Sequence, residues 1–159
     1  MGFIGLSSCT TSVDRLQGQF DQQNKQDPAL SGDGTKLALI VDNNGKPTIQ
    51  VRDLRNGKYL PLRHFSRNHP HSSPSLSWNG RYVAAIAQQG NRRLVIIEDR
   101  LNGRRHQFPV PRERIPVRLS FAPDASKLAL QFSENGKWRI ELFDLRQNIE
   151  LDQPSGIGL

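Results

Sequence analysis

The side chains in this sequence that could do chemistry are three closely spaced histidines, a recurring set of carboxylates, one cysteine and clustered arginines. His64, His69 and His71 invite a metal reading. His69-Pro70-His71 lacks the one-turn spacing that sets two imidazoles on one helix face, and no cysteine or acidic residue stands beside it. The triplet therefore reads as loop histidines, and no metal site is expected. The carboxylates recur at turn positions, as Asp33, Asn79 and Asp124, and again as Asp53, Asp99 and Asp144. Short oxygen-bearing side chains at such places accept backbone N–H bonds, so these residues read as turn formers and not as an acid/base dyad. No Gly-x-Ser-x-Gly elbow, His-Glu-x-x-His helix or Walker loop occurs. Asn44-Gly45-Lys46-Pro47 lacks the upstream glycine and the following Ser/Thr of a phosphate loop. The expectation is a protein that is not an enzyme and uses no cofactor.

The arginines suggest binding. Arg63 and Arg67 lie in one predicted linker, and Arg104, Arg105, Arg112 and Arg114 in or beside the next. With Lys46, Arg92, Arg93 and Lys137 near neighbouring turns, they predict a basic end of the molecule that meets an acidic protein face or lipid headgroups. The whole chain has a net charge of +7. Cys9 closes Leu6-Ser7-Ser8-Cys9, which resembles a bacterial lipobox: a branched apolar residue, two small ones, then the cysteine to be lipidated. The apolar stretch before it is short for a secretory signal and carries no basic start, so residues 1–8 read as the remnant of a lipoprotein signal peptide. A single cysteine excludes an intrachain disulfide, and no apolar run approaches the ~20 residues of a membrane span.

The elements that must carry these residues repeat. Pro28-Ala29-Leu30-Ser31-Gly32-Asp33-Gly34-Thr35-Lys36-Leu37-Ala38-Leu39 returns as Pro74-Ser75-Leu76-Ser77-Trp78-Asn79-Gly80-Arg81-Tyr82-Val83-Ala84-Ala85, and again as Leu119-Ser120-Phe121-Ala122-Pro123-Asp124-Ala125-Ser126-Lys127-Leu128-Ala129-Leu130. A period of about 45 residues made of short strands points to propeller blades. Hairpin signals fall at Asn44-Gly45, Gly90-Asn91 and Asn135-Gly136, and third turns at Asn56-Gly57, Asn102-Gly103 and Gln147-Asn148. The fold class is all-β: three four-stranded antiparallel blades at about 28–62, 74–108 and 119–152. Residues 9–27 read as a flexible tether and 28–159 as the propeller domain. The matched core columns are Leu30/Leu76/Phe121, Leu37/Val83/Leu128, Ala38/Ala84/Ala129 and Val51/Ile97/Leu142.

Phe121-Ala122-Pro123-Asp124 and Leu30-Ser31-Gly32-Asp33-Gly34, each followed by Lys-Leu-Ala-Leu, resemble the TolB-type β-propeller repeat. Gly32 and Trp78 replace its turn proline, and Asn79 and Ala125 break its Asp-Gly pair. The resemblance implies about six blades in a ring and protein partners at an envelope membrane, outside the cytoplasm. Three blades make half a ring, whose end faces are uncovered. Either a homodimer closes a six-bladed ring, or a heterologous partner caps the open blades. The expected function is that of a non-enzymatic, lipid-anchored interaction scaffold of the bacterial envelope. The alternatives are a propeller that binds a small ligand or carbohydrate, and a cytosolic basic propeller that binds nucleic acid. No nucleic-acid-binding motif supports the last.

Overall fold

The computed structural model describes residues 23–154, and among them no helix forms. The first sheet runs in the order β1 (Lys25–Leu30), β2 (Lys36–Asn43), β3 (Lys46–Asp53) and β4 (Tyr59–Leu60). The second holds β5 (His71–Leu76), β6 (Tyr82–Gln89), β7 (Arg92–Asp99) and β8 (Arg104–Phe108). The third holds β9 (Ile115–Phe121), β10 (Lys127–Glu134) and β11 (Lys137–Asp144). Every pairing is antiparallel between neighbours in sequence, so each sheet is a meander. Asn44-Gly45 and Asn135-Gly136 are both left-handed, with φ of 52° and 80°, and of 48° and 74°. Two left-handed residues in a row make the hairpin turn whose twist matches that of the strands it joins.

Each of the two sheet-to-sheet contacts has its own core. Between the first and second blades, Ala38, Ile40, Ile49 and Val51 meet Val83, Ala85, Ala87 and Ile96. Between the second and third, Ala84, Ile86, Val95 and Ile97 meet Leu119, Phe121, Leu128, Leu130 and Phe132. Small residues at 38 and 84 bring the flat sheets close together, as radial packing requires.

Three expectations need adjustment. β1 starts at Lys25, ahead of the expected boundary at Pro28, and it bulges between Gln26 and Ala29 where Asp27 turns left-handed. Leu30 and Leu142, expected in the core, are 60% and 66% exposed because each faces a side with no neighbouring blade. The third sheet has three strands among the described residues, where four were expected. After β11 the chain makes a tight turn in which the N–H groups of Asn148 and Ile149 donate to the Leu145 carbonyl, and it then heads for the second blade. There the buried Asp152 carboxylate accepts the Ser77 hydroxyl at 2.5 Å and the Asn79 N–H at 3.1 Å. The place of a fourth strand also lacks an apolar anchor. Leu62 and Phe108 pack on the cores at that repeat position in blades one and two, and the third copy has Gln153.

Candidate interaction surface

The repeated carboxylates sit in turns. Asp33, Asn79 and Asp124 each accept the backbone N–H two residues on, from Thr35, Arg81 and Ser126, all at 2.9 Å. Asp53, Asp99 and Asp144 do the same for Arg55, Leu101 and Arg146, at 2.9, 3.0 and 3.0 Å. Hydrogen bonds from the Arg146 side chain hold the Asp144 carboxyl down to about 2, and those from Arg55 hold Asp53 well below the carboxylate range. Burial pushes Asp99 upward, but the Arg81 guanidinium at 2.9 Å outweighs it and the net shift is downward. These groups stay ionised and engaged, a poor state for proton transfer.

The first turns of the three blades are stitched head to tail. The Asp33 N–H donates to the Trp78 carbonyl at 2.8 Å, and the Trp78 N–H donates to the Pro123 carbonyl at 2.5 Å. Gly32, Trp78 and Pro123 hold one repeat position and crowd together here. A Cβ on Gly32 would lie 2.6 Å from Trp78 Cε3. The two departures from the turn proline are therefore one packing solution.

The linkers are anchored by buried groups. Glu98, 1% exposed, accepts the N–H groups of Arg63 at 3.0 Å and His64 at 2.8 Å. His71 Nδ1 accepts the Ile49 N–H, and its ring meets Phe65 edge-on at 5.3 Å. Burial, with His69 adding to it, pushes the imidazole down to about 4. Among the described residues no group of three or more metal-ligating side chains comes together.

The arginines singled out by sequence fall into separate places. The Arg63 guanidinium lies over Gly103, so Arg63, Arg104 and Arg105 gather around the third turn of blade two. Arg67 lines a cleft in blade one with Tyr59 and Phe65. Arg112 and Arg114 line another with Arg92, Arg93, Val110 and Ile115, a cavity of about 390 Å³ with no acidic residue in its wall. Arg114 is spoken for, since it pairs with Glu134 at 3.3 Å and with Glu141. Cys9 and most of the tether lie outside the described residues.

Sequence reasoning about charge passed over the most distinctive surface. Trp138, Ile140 and Leu142 alternate along β11 and are 67%, 76% and 66% exposed. The repeat supplies an internal control. Ile49 and Val95 hold the position of Ile140 and are 7% and 0% exposed, while Val51 and Ile97 hold that of Leu142 and are both 1% exposed. The periodic alternation of apolar residues in Lys137-Trp138-Arg139-Ile140-Glu141-Leu142 was the available signal.

Comparison with solved structures decides the architecture. TolB from Acinetobacter baumannii superposes with a TM-score of 0.61 at 18% identity, over 87% of this chain and 34% of that one. A TolB structure from Agrobacterium tumefaciens gives 0.64 at 13% identity, over 84% of this chain and 50% of that one. The fold is that of TolB-type propeller blades. A TolB homolog of Chlorobium luteolum is 24% identical over 118 residues, 74% of this chain and 26% of the relative. No protein-family model matches. The chain thus spans about a quarter of the curated relative and a third to a half of the solved TolB chains.

Proposed function

We propose that the chain is a non-enzymatic protein-interaction scaffold whose principal docking surface is the open face of the third blade. The observation that carries this reading is the contrast between Ile140 and Leu142, 76% and 66% exposed, and their repeat equivalents, all at 7% or below. Exposed apolar patches of this kind mark interfaces. A polypeptide partner fits better than a second copy that closes a six-bladed ring. The side of β2 that such a copy would have to offer is open at Leu30, 60% exposed, but closed at Leu39 and Val41, 4% and 1% exposed, so it lacks the continuous apolar stripe that β11 presents. Arg104, Arg105 and Arg112, all exposed, complement an acidic partner surface. The lipobox-like stretch at Cys9, with the TolB-type repeat, supports a lipid-anchored place at an extracytoplasmic membrane face.

A photoreactive residue placed at Trp138 in living cells tests the docking surface. The expected result is a discrete crosslinked protein species that disappears when Ile140→Asp is added. Crosslinking that survives Ile140→Asp overturns the reading. Reversing Arg104, Arg105 and Arg112 to glutamate should weaken the same crosslink. A Cys9→Ser chain that stays in the membrane fraction argues against the anchor.

A further inference from the structure

We infer that β11 is a strand-addition site, at which an extended segment of a separate polypeptide completes the third sheet as its fourth strand, with an apolar side chain opposite Ile140. The inference rests on the docking role proposed above and specifies its mode. The outermost strand of blade one has a partner, with Leu60 opposite Val51. That of blade two has a longer one, with His106 opposite Ile97 and Phe108 opposite Val95. β11 pairs with β10 alone among the described residues. Asp53 and Asp99 use their backbone groups outward, away from the sheet interior, as the bonds to Lys58, Gly57 and Gly103 demonstrate. By the two-residue alternation of a strand, the N–H and C=O groups of Ile140 and Leu142 point the same way, toward the open edge.

Edges left unpaired are normally guarded, because they recruit other strands. The part of β3 that β4 does not reach is guarded in this way. Pro47 has no N–H to offer, and the N–H of Ile49 is taken by His71 Nδ1 at 3.2 Å. β11 has no proline, and it pairs with β10 from Lys127↔Asp144 to Glu134↔Lys137 without a bulge. Among the described residues, the chain thus blunts one open edge with a proline and an imidazole and leaves the other straight.

The chemistry of the incoming strand follows from the two internal examples. Phe108 lies opposite Val95, the equivalent of Ile140, and Leu62 holds the same repeat position just beyond the end of β4; both pack on a core. The chain's own Gln153 stands at that place in the third copy, and its neighbour Asp152 is held by Ser77 and Asn79. In a second copy, β4 and β8 are already paired in their own sheets, whereas among the described residues its β11 is free. Dimerisation through two β11 strands, seen by light scattering without peptide and lost in Leu142→Pro, would overturn a separate polypeptide as the occupant. The fitting occupant is an extended peptide with an apolar residue centred on Ile140. Acidic flanks suit it, given the exposed Lys137 and the net charge of +7.

A synthetic peptide with the sequence of residues 104–110, its two arginines replaced by glutamates, provides the probe. Trp138 fluorescence should report saturable binding, and amide exchange at Ile140 and Leu142 should slow about tenfold or more on saturation. The same peptide with glutamine at the place of Phe108 should bind about tenfold more weakly, the equivalent of about 1.4 kcal/mol. Leu142→Pro removes an outward N–H that an edge strand does not need, so the sheet should survive while the peptide binds at least tenfold less well. Binding that changes Trp138 fluorescence but leaves the β11 amides in fast exchange overturns strand addition, while docking on the face stands. No binding at millimolar peptide overturns strand addition as well. The loss of docking altogether is read separately, from the insensitivity of the Trp138 crosslink to Ile140→Asp.

Discussion

His71 Nδ1 accepts the backbone N–H of Ile49 across the boundary between the first two blades, at 3.2 Å. Only a ring nitrogen without a proton can accept, so this bond requires a neutral imidazole. Burial, aided by His69, lowers the folded value to about 4, against about 6.5 in an open chain. The unfolded chain therefore takes up the proton first. Stability should be intact above about pH 6.5 and fall as the pH drops toward 4, by about 2 kcal/mol. Urea midpoints at pH 7.5 and pH 5 measure this, and equal midpoints would count against it. His71→Leu should flatten the dependence but cost about 1–3 kcal/mol at neutral pH, because the Ile49 N–H loses its acceptor.

Identical repeat positions should give opposite mutational outcomes. Ile97 is 1% exposed and Leu142 is 66% exposed. Ile97→Ala should cost about 2–5 kcal/mol through the cavity it leaves, and Leu142→Ala less than about 0.5 kcal/mol in the unbound protein. Thermal or urea unfolding of the two variants checks the pair. A large loss at Leu142 in a monomer would mean that the face is already covered.

Gly32 and Trp78 should behave as one unit. A methyl on Gly32 would come within 2.6 Å of Trp78 Cε3 and 3.1 Å of Pro123 Cβ. Gly32→Ala should therefore destabilise by about 1–3 kcal/mol through overpacking. Trp78→Ala removes the obstructing ring, so in the double variant most of the Gly32→Ala cost should vanish. A double-mutant cycle with a coupling below about 0.5 kcal/mol would show the two to be independent.

Glu98 should act as the anchor of the first linker. Its carboxylate takes the N–H groups of Arg63 and His64 in a site 1% exposed to solvent. Glu98→Leu would leave both donors without an acceptor, at a cost of about 2 kcal/mol or more. Hydrogen exchange at Arg63 and His64 should rise sharply in a variant that still folds. Unchanged protection there would assign the linker's order to Phe65 packing instead.

The features legible in the sequence were the local ones. Asp33, Asp53 and Asn44-Gly45 form turns through bonds that close within two or three residues, so residue type and spacing suffice to place them. The matched columns made the sheets legible for the same reason, since alternation along a strand is a local pattern. Leu30 and Leu142 were misplaced because their burial depends on a neighbouring blade, which no pattern within one repeat encodes. Among the described residues the third sheet stops at three strands, and the chain after it is held by Asp152 against Ser77, far away in sequence, at 2.5 Å. The arginines scattered for a related reason. The linker bends to satisfy Glu98, which carries Arg63 to Gly103 and leaves Arg67 beside Tyr59 and Phe65. Charge composition records how many cations a linker holds and nothing about the path that it takes.

The two separate cores have a consequence for how the molecule comes apart. Three sheets in a row share two interfaces, and only the central sheet touches both. Stability in such an array follows nearest-neighbour contacts, so either terminal sheet can peel away while one interface survives, and loss of the central one leaves none. Exchange should therefore be fastest in β1 and β11 and slowest in β6, whose residues 82–87 are all 1% exposed or less. A strand bound to β11 adds a neighbour without adding a blade. It should quieten fraying at that end first and pass its effect inward one sheet at a time, with little felt at β1.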